Sequence, residues 1–144
     1  ARSPEAKLVL AGKAFPAQLP GTDQSGITVL GEVDDAGGFL EGAGIALIPL
    51  LSGSGIRIKA IESMAYGKAI ISTGLGVEGL GLTHGKDVII ADTPAAFAEA
   101  IAGLLDNPAR AASLGSEART FARNRFSHAA VTTRILTFLN KMTA

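Results

Sequence analysis

The chain has no cysteine. Disulfides, thiolate zinc sites and a cysteine nucleophile are therefore excluded. Its two histidines, His84 and His128, lie far apart, so no histidine-rich metal motif is present. Aromatic residues make up only 5% of the chain, which counts against a base-stacking surface. Charge of one sign is also lacking: 13 Lys and Arg offset 13 Asp and Glu. No overall basic field gathers nucleic acid or anionic lipid, although a local cluster could still hold a phosphate. No apolar run reaches the ~20 residues that a membrane helix needs. No secretory signal opens the sequence, and a cytoplasmic protein is the default expectation. What the chain does have is 144 residues, 47% of them hydrophobic, enough for one domain with a core.

Five short apolar runs read as strands: Leu8–Ala11, Ile27–Leu30, Ile45–Leu50, Ala69–Ser72 and Val88–Ala91. Each is nearly continuous in apolar residues instead of alternating, which suits strands covered on both faces of a parallel sheet. Helical stretches lie between or after them. Asp35–Leu40 is weak, with Gly37 and Gly38 inside it. Ile56–Tyr66 places Ile58, Ile61 and Ala65 on one face before the stop at Gly67. Pro94–Leu105 follows the N-cap Thr93, and Pro108–Arg125 follows the N-cap Asn107. The stripe of the second is Ala111, Leu114, Ala118 and Phe121. A last helix starts near Ser127, with Val131, Ile135, Phe138, Leu139 and Met142 as its apolar face. Residues 15–26, broken by two prolines and two glycines, read as a loop in place of a crossover helix. Strands alternating with helices imply an α/β domain: a Rossmann-like parallel sheet with helices on both faces.

The informative segment is Ser52-Gly-Ser-Gly-Ile-Arg-Ile-Lys-Ala-Ile-Glu-Ser-Met-Ala-Tyr-Gly67. A Gly/Ser loop there runs from an apolar strand into a helix. The first N–H groups of a helix have no internal partner, and the helix dipole adds positive character. Gly53 and Gly55 allow close approach to the backbone. Together these features suit phosphate. Arg57 and Lys59 add formal charge. Glu62, about two turns along, could accept two hydrogen bonds from a ribose diol. On the residues alone, a plainer account stays open: Ser54 as an ordinary N-cap, with Arg57, Lys59 and Glu62 on a solvated helix face. Neither the Walker A nor the Gly-x-Gly-x-x-Gly pattern fits.

The run from Ala46-Leu-Ile-Pro-Leu50 through Gly53-Ser-Gly-Ile-Arg-Ile-Lys-Ala-Ile-Glu62 to Gly76-Val-Glu-Gly-Leu80 resembles the donor-binding signature of group 1 (family 4) glycosyltransferases. Gly85–Asp92, the Phe97-Ala-Glu-Ala100 helix, Leu104-Leu-Asp-Asn-Pro108 and Arg123-x-Arg-Phe-Ser127 follow the family's order, so the resemblance spans about Lys7 to Met142. It implies one half of a GT-B fold, in which two Rossmann-like domains face a cleft. This half would bind a nucleotide-diphosphate sugar, the other would bind the acceptor, and transfer would retain anomeric configuration. The donor site would be Gly53, Ser54, Gly55, Ile56, Arg57, Lys59 and Glu62, with no catalytic residue, cofactor or metal in this chain. Two departures stand out. The first of two family glutamates falls on Ser54, the second on Glu62. The family's earlier strand, ending in Gly-Arg before a loop Lys, has no counterpart, since the chain opens at what resembles the second strand, Leu8–Gly12.

The resemblance thus implies that residues 1–144 are a partial C-terminal nucleotide-sugar-binding domain, its N-terminal acceptor domain and first strand-helix unit absent. The isolated chain would then be inactive. The missing N-terminal domain would be its partner, with no nucleic acid and no membrane span. A non-catalytic, degenerate nucleotide-binding or interaction module is the alternative. A flavodoxin-like domain would need a phosphate loop after the first strand, where Gly12-Lys13-Ala-Phe-Pro is a poor candidate. Asp34, Asp35 and Glu78 follow strand ends, where α/β ligand sites cluster, but each also suits a polar turn. His84 and His128 read as turn and cap residues.

Overall fold

The computed structural model describes residues 6–13 and 26–143. The notional loop at residues 15–26 therefore lies outside the described residues, apart from Gly26. The chain forms two compact units, residues 1–42 and 43–144.

In the first unit, β1 (Leu8–Ala11) and β2 (Ile27–Gly31) pair in parallel, Leu8 opposite Ile27, with a register irregularity between Leu10 and Ala11. Helix α1 (Ala36–Glu41) begins one residue later than its composition predicts. Asp35 is its N-cap, the side chain accepting from the Gly38 amide at 2.9 Å. Among the described residues of this unit, coverage on both faces, expected from the continuous apolar runs, is not found. Leu8, Val9 and Leu30 are exposed. A run of apolar residues only permits double coverage; something must pack on each face. The described helix of this unit is six residues long and buries none of them.

The second unit has a three-stranded parallel sheet in the order β3-β4-β5: β3 (Ile45–Ile48), β4 (Ala69–Ser72) and β5 (Ile89–Ile90). β3 stops two residues before the end of its apolar run. Pro49 has no N–H to continue the ladder. The Leu50 amide turns back to the Ile48 carbonyl at 3.0 Å. β5 is also shorter than Val88–Ala91: Val88 pairs with His84 in an isolated bridge, while the Ala91 amide still donates to Ser72 O at 2.8 Å.

Every residue of β4 is buried, and its alternation divides the core. Ile70 points to a cluster with Ala60 and Met64 of α2 (Ile58–Ala65) and with Ala118 and Ala122 of α4 (Pro108–Phe126). Ala69 and Ile71 point the other way, to Leu104 of α3 (Pro94–Leu105) and Leu114 of α4. Helices thus cover both faces of the central strand. Each large side chain buried here contributes roughly 1.5–3 kcal/mol. Thr93 and Asn107 cap as their residue types predict, accepting from Ala96 N at 3.2 Å and Arg110 N at 3.0 Å.

Helix α2 differs from the expectation in its face. Ile58 is 57% exposed and Ala65 is exposed as well, whereas Ala60, Ser63 and Met64 are buried. The small Ala60 lets α2 close onto the alanines of α4. Ser63 is tolerated because its hydroxyl donates to Lys59 O at 2.8 Å. The chain ends in α5 (His128–Thr143), where the Ser127 hydroxyl accepts from Ala130 N at 3.2 Å.

Candidate functional site

The loops at the carboxyl edge of β3-β4-β5 come together through hydrogen bonds anchored at the strand exits. The Ile48 carbonyl accepts from Thr73 N and from Ser72 Oγ, both at 3.2 Å. Thr73 Oγ1 donates to Leu50 O at 2.7 Å and accepts from Gly76 N at 3.1 Å. Asp92, just past β5, accepts from Gly74 N at 2.7 Å. The exits of all three strands are therefore tied to one another. The Ser52–Gly55 loop lies on the same edge as Thr73, where ligands bind in parallel α/β sheets. Gly12 stands at the carboxyl end of its own strand pair.

Residues 51–56 are all exposed. Gly53 (φ 133°) and Gly55 (φ 101°) adopt a backbone that L side chains rarely take, so the loop's shape depends on glycine at both places. Ser54 is not the helix cap. Two left-handed residues hold the chain out of helical geometry until Arg57, which occupies the N-cap position without a side-chain cap bond. The amides of Ile58 and Ala60 turn back to Ile56 O at 2.9 Å and Arg57 O at 3.0 Å. The Gly53–Gly55 amides precede the helix, and the dipole fades within one turn of a helix end, so the loop cannot draw on it fully. Glu62 is the fifth residue of α2, one turn in instead of two.

The charged residues divide sharply. Lys59 projects into solvent, pairing with Glu62 Oε2 at 3.4 Å on the same helix. The Arg57 side chain is only 9% exposed. Its Nε donates to Leu75 O at 2.8 Å, and Nη2 lies 3.5 Å from Gly53 O and 3.6 Å from Glu78 Oε2. Ile56 contributes an exposed apolar side chain.

The structure thus brings Gly53, Ser54, Gly55, Ile56, Arg57, Lys59 and Glu62 onto one edge, with Glu78 beside them. The sequence reading missed Thr73, Leu75 and Asp92. Their one signal was position, just after apolar runs that end parallel strands. Asp35 caps α1 and Asp34 belongs to the first unit. His84, in the turn before β5, accepts at Nδ1 from the amide of Ile90, the second residue of that strand, at 3.0 Å, and His128 opens α5. A recess of about 510 Å³, lined in part by Lys86, Phe121, Arg125 and Arg134, also lies beside the amino end of β5, away from the glycine loop. Among the described residues, no group of three histidines or carboxylates could hold a metal, and no helix is long and apolar enough to cross a membrane.

Known proteins share this architecture. HepE of Anabaena, solved in complex with UDP, superposes with a TM-score of 0.81 at 17% identity, over 96% of this chain and 42% of that one. Sucrose-phosphate synthase of Thermosynechococcus elongatus superposes with a TM-score of 0.74 at 20% identity, over 95% of this chain and 38% of that one. Identities this low show a common fold. An uncharacterized 44.6 kDa protein in the cps region of Klebsiella pneumoniae is 34% identical over 61 residues, 42% of this chain. The chain spans only 16% of that relative's length. The family description "Glycosyl transferases group 1" matches residues 1–107, and this protein belongs to that family.

Proposed function

We propose that the carboxyl edge of the β3-β4-β5 sheet binds the nucleotide-diphosphate sugar of a retaining glycosyltransferase. The observation that carries this reading is the exposed Gly53–Gly55 backbone beside Lys59 and Glu62, at the strand exits. Free amides and a lysine suit a diphosphate. Glu62 would leave its lysine partner to accept the two hydroxyls of a ribose. HepE is described with UDP, with UDP and glucose, and with UDP-glucose, which supports a uridine nucleotide as the first ligand to try. On this reading residues 1–144 form part of the C-terminal half of a GT-B enzyme, and the acceptor is held by an N-terminal domain.

The test is calorimetric titration of UDP, GDP and ADP against the chain and its Glu62→Ala variant. Loss of the ribose contacts should cost about 1–3 kcal/mol, roughly 5- to 150-fold in Kd. Equal affinity in the two proteins would reject Glu62 as the ribose ligand. A second reading rests on Ser54, which stands where the family's first glutamate is expected: a module that holds the nucleotide without discriminating the sugar. Under it, UDP and UDP-glucose would bind equally tightly.

A further inference from the structure

Two cations, Arg57 and Lys59, lie two residues apart beside the glycine loop, and the structure gives them different situations. Lys59 is 79% exposed and touches only a carboxylate one turn along its own helix. The Arg57 side chain is almost wholly enclosed. A guanidinium taken out of water requires partners for its N–H groups. Its partners belong to two separate loops. Gly53 O sits in the loop after β3, while Leu75 O and Glu78 sit in the loop after β4. The Leu75 bond, at 2.8 Å, is the short one. The Glu78 carboxylate is 71% exposed, so its pairing alone would be worth little; it closes the guanidinium on the solvent side.

We infer that Arg57 is a positioning residue, which fixes the Gly53–Gly55 loop against the Leu75–Glu78 loop and leaves Lys59 as the cation free to meet a phosphate. The loop between Leu50 and Arg57 has glycines in left-handed conformations at Gly53 and Gly55, and its side chains are exposed. Such a segment has many open conformations, and ordering it on ligand entry would weaken binding. A planar, five-donor group reaching from the helix cap to both loops removes that freedom beforehand. Lysine has the charge but not the fork, and cannot make the three contacts at once. This role rests on the donor-site reading above, but the loop's order can be measured without ligand.

The test compares Arg57→Lys, Arg57→Ala, Glu78→Gln and Lys59→Ala with the wild-type chain. Backbone order parameters of the Gly53 and Gly55 amides, measured by NMR without nucleotide, report the loop. Isothermal titration of UDP at several salt concentrations reports the site, and unfolding midpoints show that each variant is folded. Both Arg57 variants should lower the two order parameters. They should weaken UDP binding about tenfold, the scale of one charge-assisted hydrogen bond. Their salt dependence should stay that of wild type, because the phosphate cation remains. Lys59→Ala should leave the order parameters unchanged and flatten the salt dependence. Glu78→Gln, at an exposed position, tests the latch even where Arg57→Ala fails to fold, and should loosen the loop to a smaller degree. Wild-type loop order and UDP affinity in Arg57→Lys would overturn the inference. So would tighter UDP binding in Glu78→Gln, which would make Glu78 a competitor of the phosphate. Failure of the wild-type chain to bind UDP, GDP or ADP would instead reject the donor-site reading, with the order parameters still deciding what Arg57 does to the loop.

Discussion

Gly115 lies where α4 crosses the turn into β4, and the crossing leaves no space for a side chain. A Cβ at this position would fall on the Gly67 carbonyl, within 2.9 Å of its carbon and 3.2 Å of the Ala69 amide nitrogen. All of these are backbone atoms, so no rotamer change relieves the clash. Gly115→Ala should therefore destabilise the chain by about 1–3 kcal/mol, although alanine is the better helix former by roughly 1 kcal/mol. A thermal midpoint equal to or above wild type would show that α4 can shift away at no cost. Thr73 presents a different residue-scale case. It is buried, and its hydroxyl both donates to Leu50 O and accepts from Gly76 N. Thr73→Val keeps the shape and the Gly76 amide keeps its bond to Thr73 O at 3.0 Å, but the Leu50 carbonyl loses its hydroxyl donor, a loss of about 1–3 kcal/mol. Because the bond to Leu50 joins the loops after β3 and β4, UDP affinity should fall along with stability. A loss of stability with unchanged UDP affinity would show that Thr73 supports the fold alone.

Among the elements, those with local causes were legible in the sequence. Thr93 before Pro94 and Asn107 before Pro108 each supply a side-chain acceptor three residues ahead, and both helices start there. The start of α1 was misplaced by one residue, and the cap of α2 by three, from Ser54 to Arg57. The second error arose because glycine spacing does not reveal the sign of φ, and two positive values push the helix start along the chain. The buried face of α2 was not legible either. Ile58 looks like core by composition, but the residues that meet α4 are Ala60 and Met64, a choice made by the partner helix. The residues proposed for the donor site were singled out by the family signature, while the Thr73 and Arg57 contacts at their loop depend on neighbours distant in sequence. Helix α5 carries the contrast furthest. Val131, Ile135, Phe138, Leu139 and Met142 follow an apolar pattern, yet all are exposed. In this chain, Phe138→Ser should alter stability by no more than about 0.5 kcal/mol. Met64→Ala, at a fully buried position in the α2–β4–α4 cluster, should cost about 2–5 kcal/mol. Urea midpoints of the two variants compare them directly. Comparable losses would mean that α5 is packed in solution in a way the described contacts do not include.

For the molecule as a whole, the expected behaviour of these 144 residues is donor binding without sugar transfer. Transfer requires an acceptor hydroxyl held about 3–3.5 Å from the anomeric carbon, aligned and shielded from water. At the carboxyl edge, Arg57, Thr73 and Asp92 already serve the loops' own hydrogen bonds. Lys59 and Glu62, a charged pair reaching solvent beside the loop, suit phosphate and ribose better than an acceptor. The glycine loop itself is open to water along residues 51–56. Superposition on HepE accounts for 42% of that chain, so more than half of HepE has no counterpart in these residues. Without a second surface, donor and acceptor meet only by collision. The effective concentration given up is on the order of 10⁵ M or more, a deficit of about 7 kcal/mol or greater in the barrier. The measurement is release of UDP from UDP-glucose, with and without saccharide acceptors, by the 144-residue chain and by a longer polypeptide carrying it in a two-domain enzyme. The short chain should match the enzyme-free control while still retaining measurable UDP affinity, and the longer one should turn over. Acceptor-dependent transfer by the short chain would mean that one carboxyl edge holds both substrates, and the division of labour between two domains would have to be abandoned for this protein.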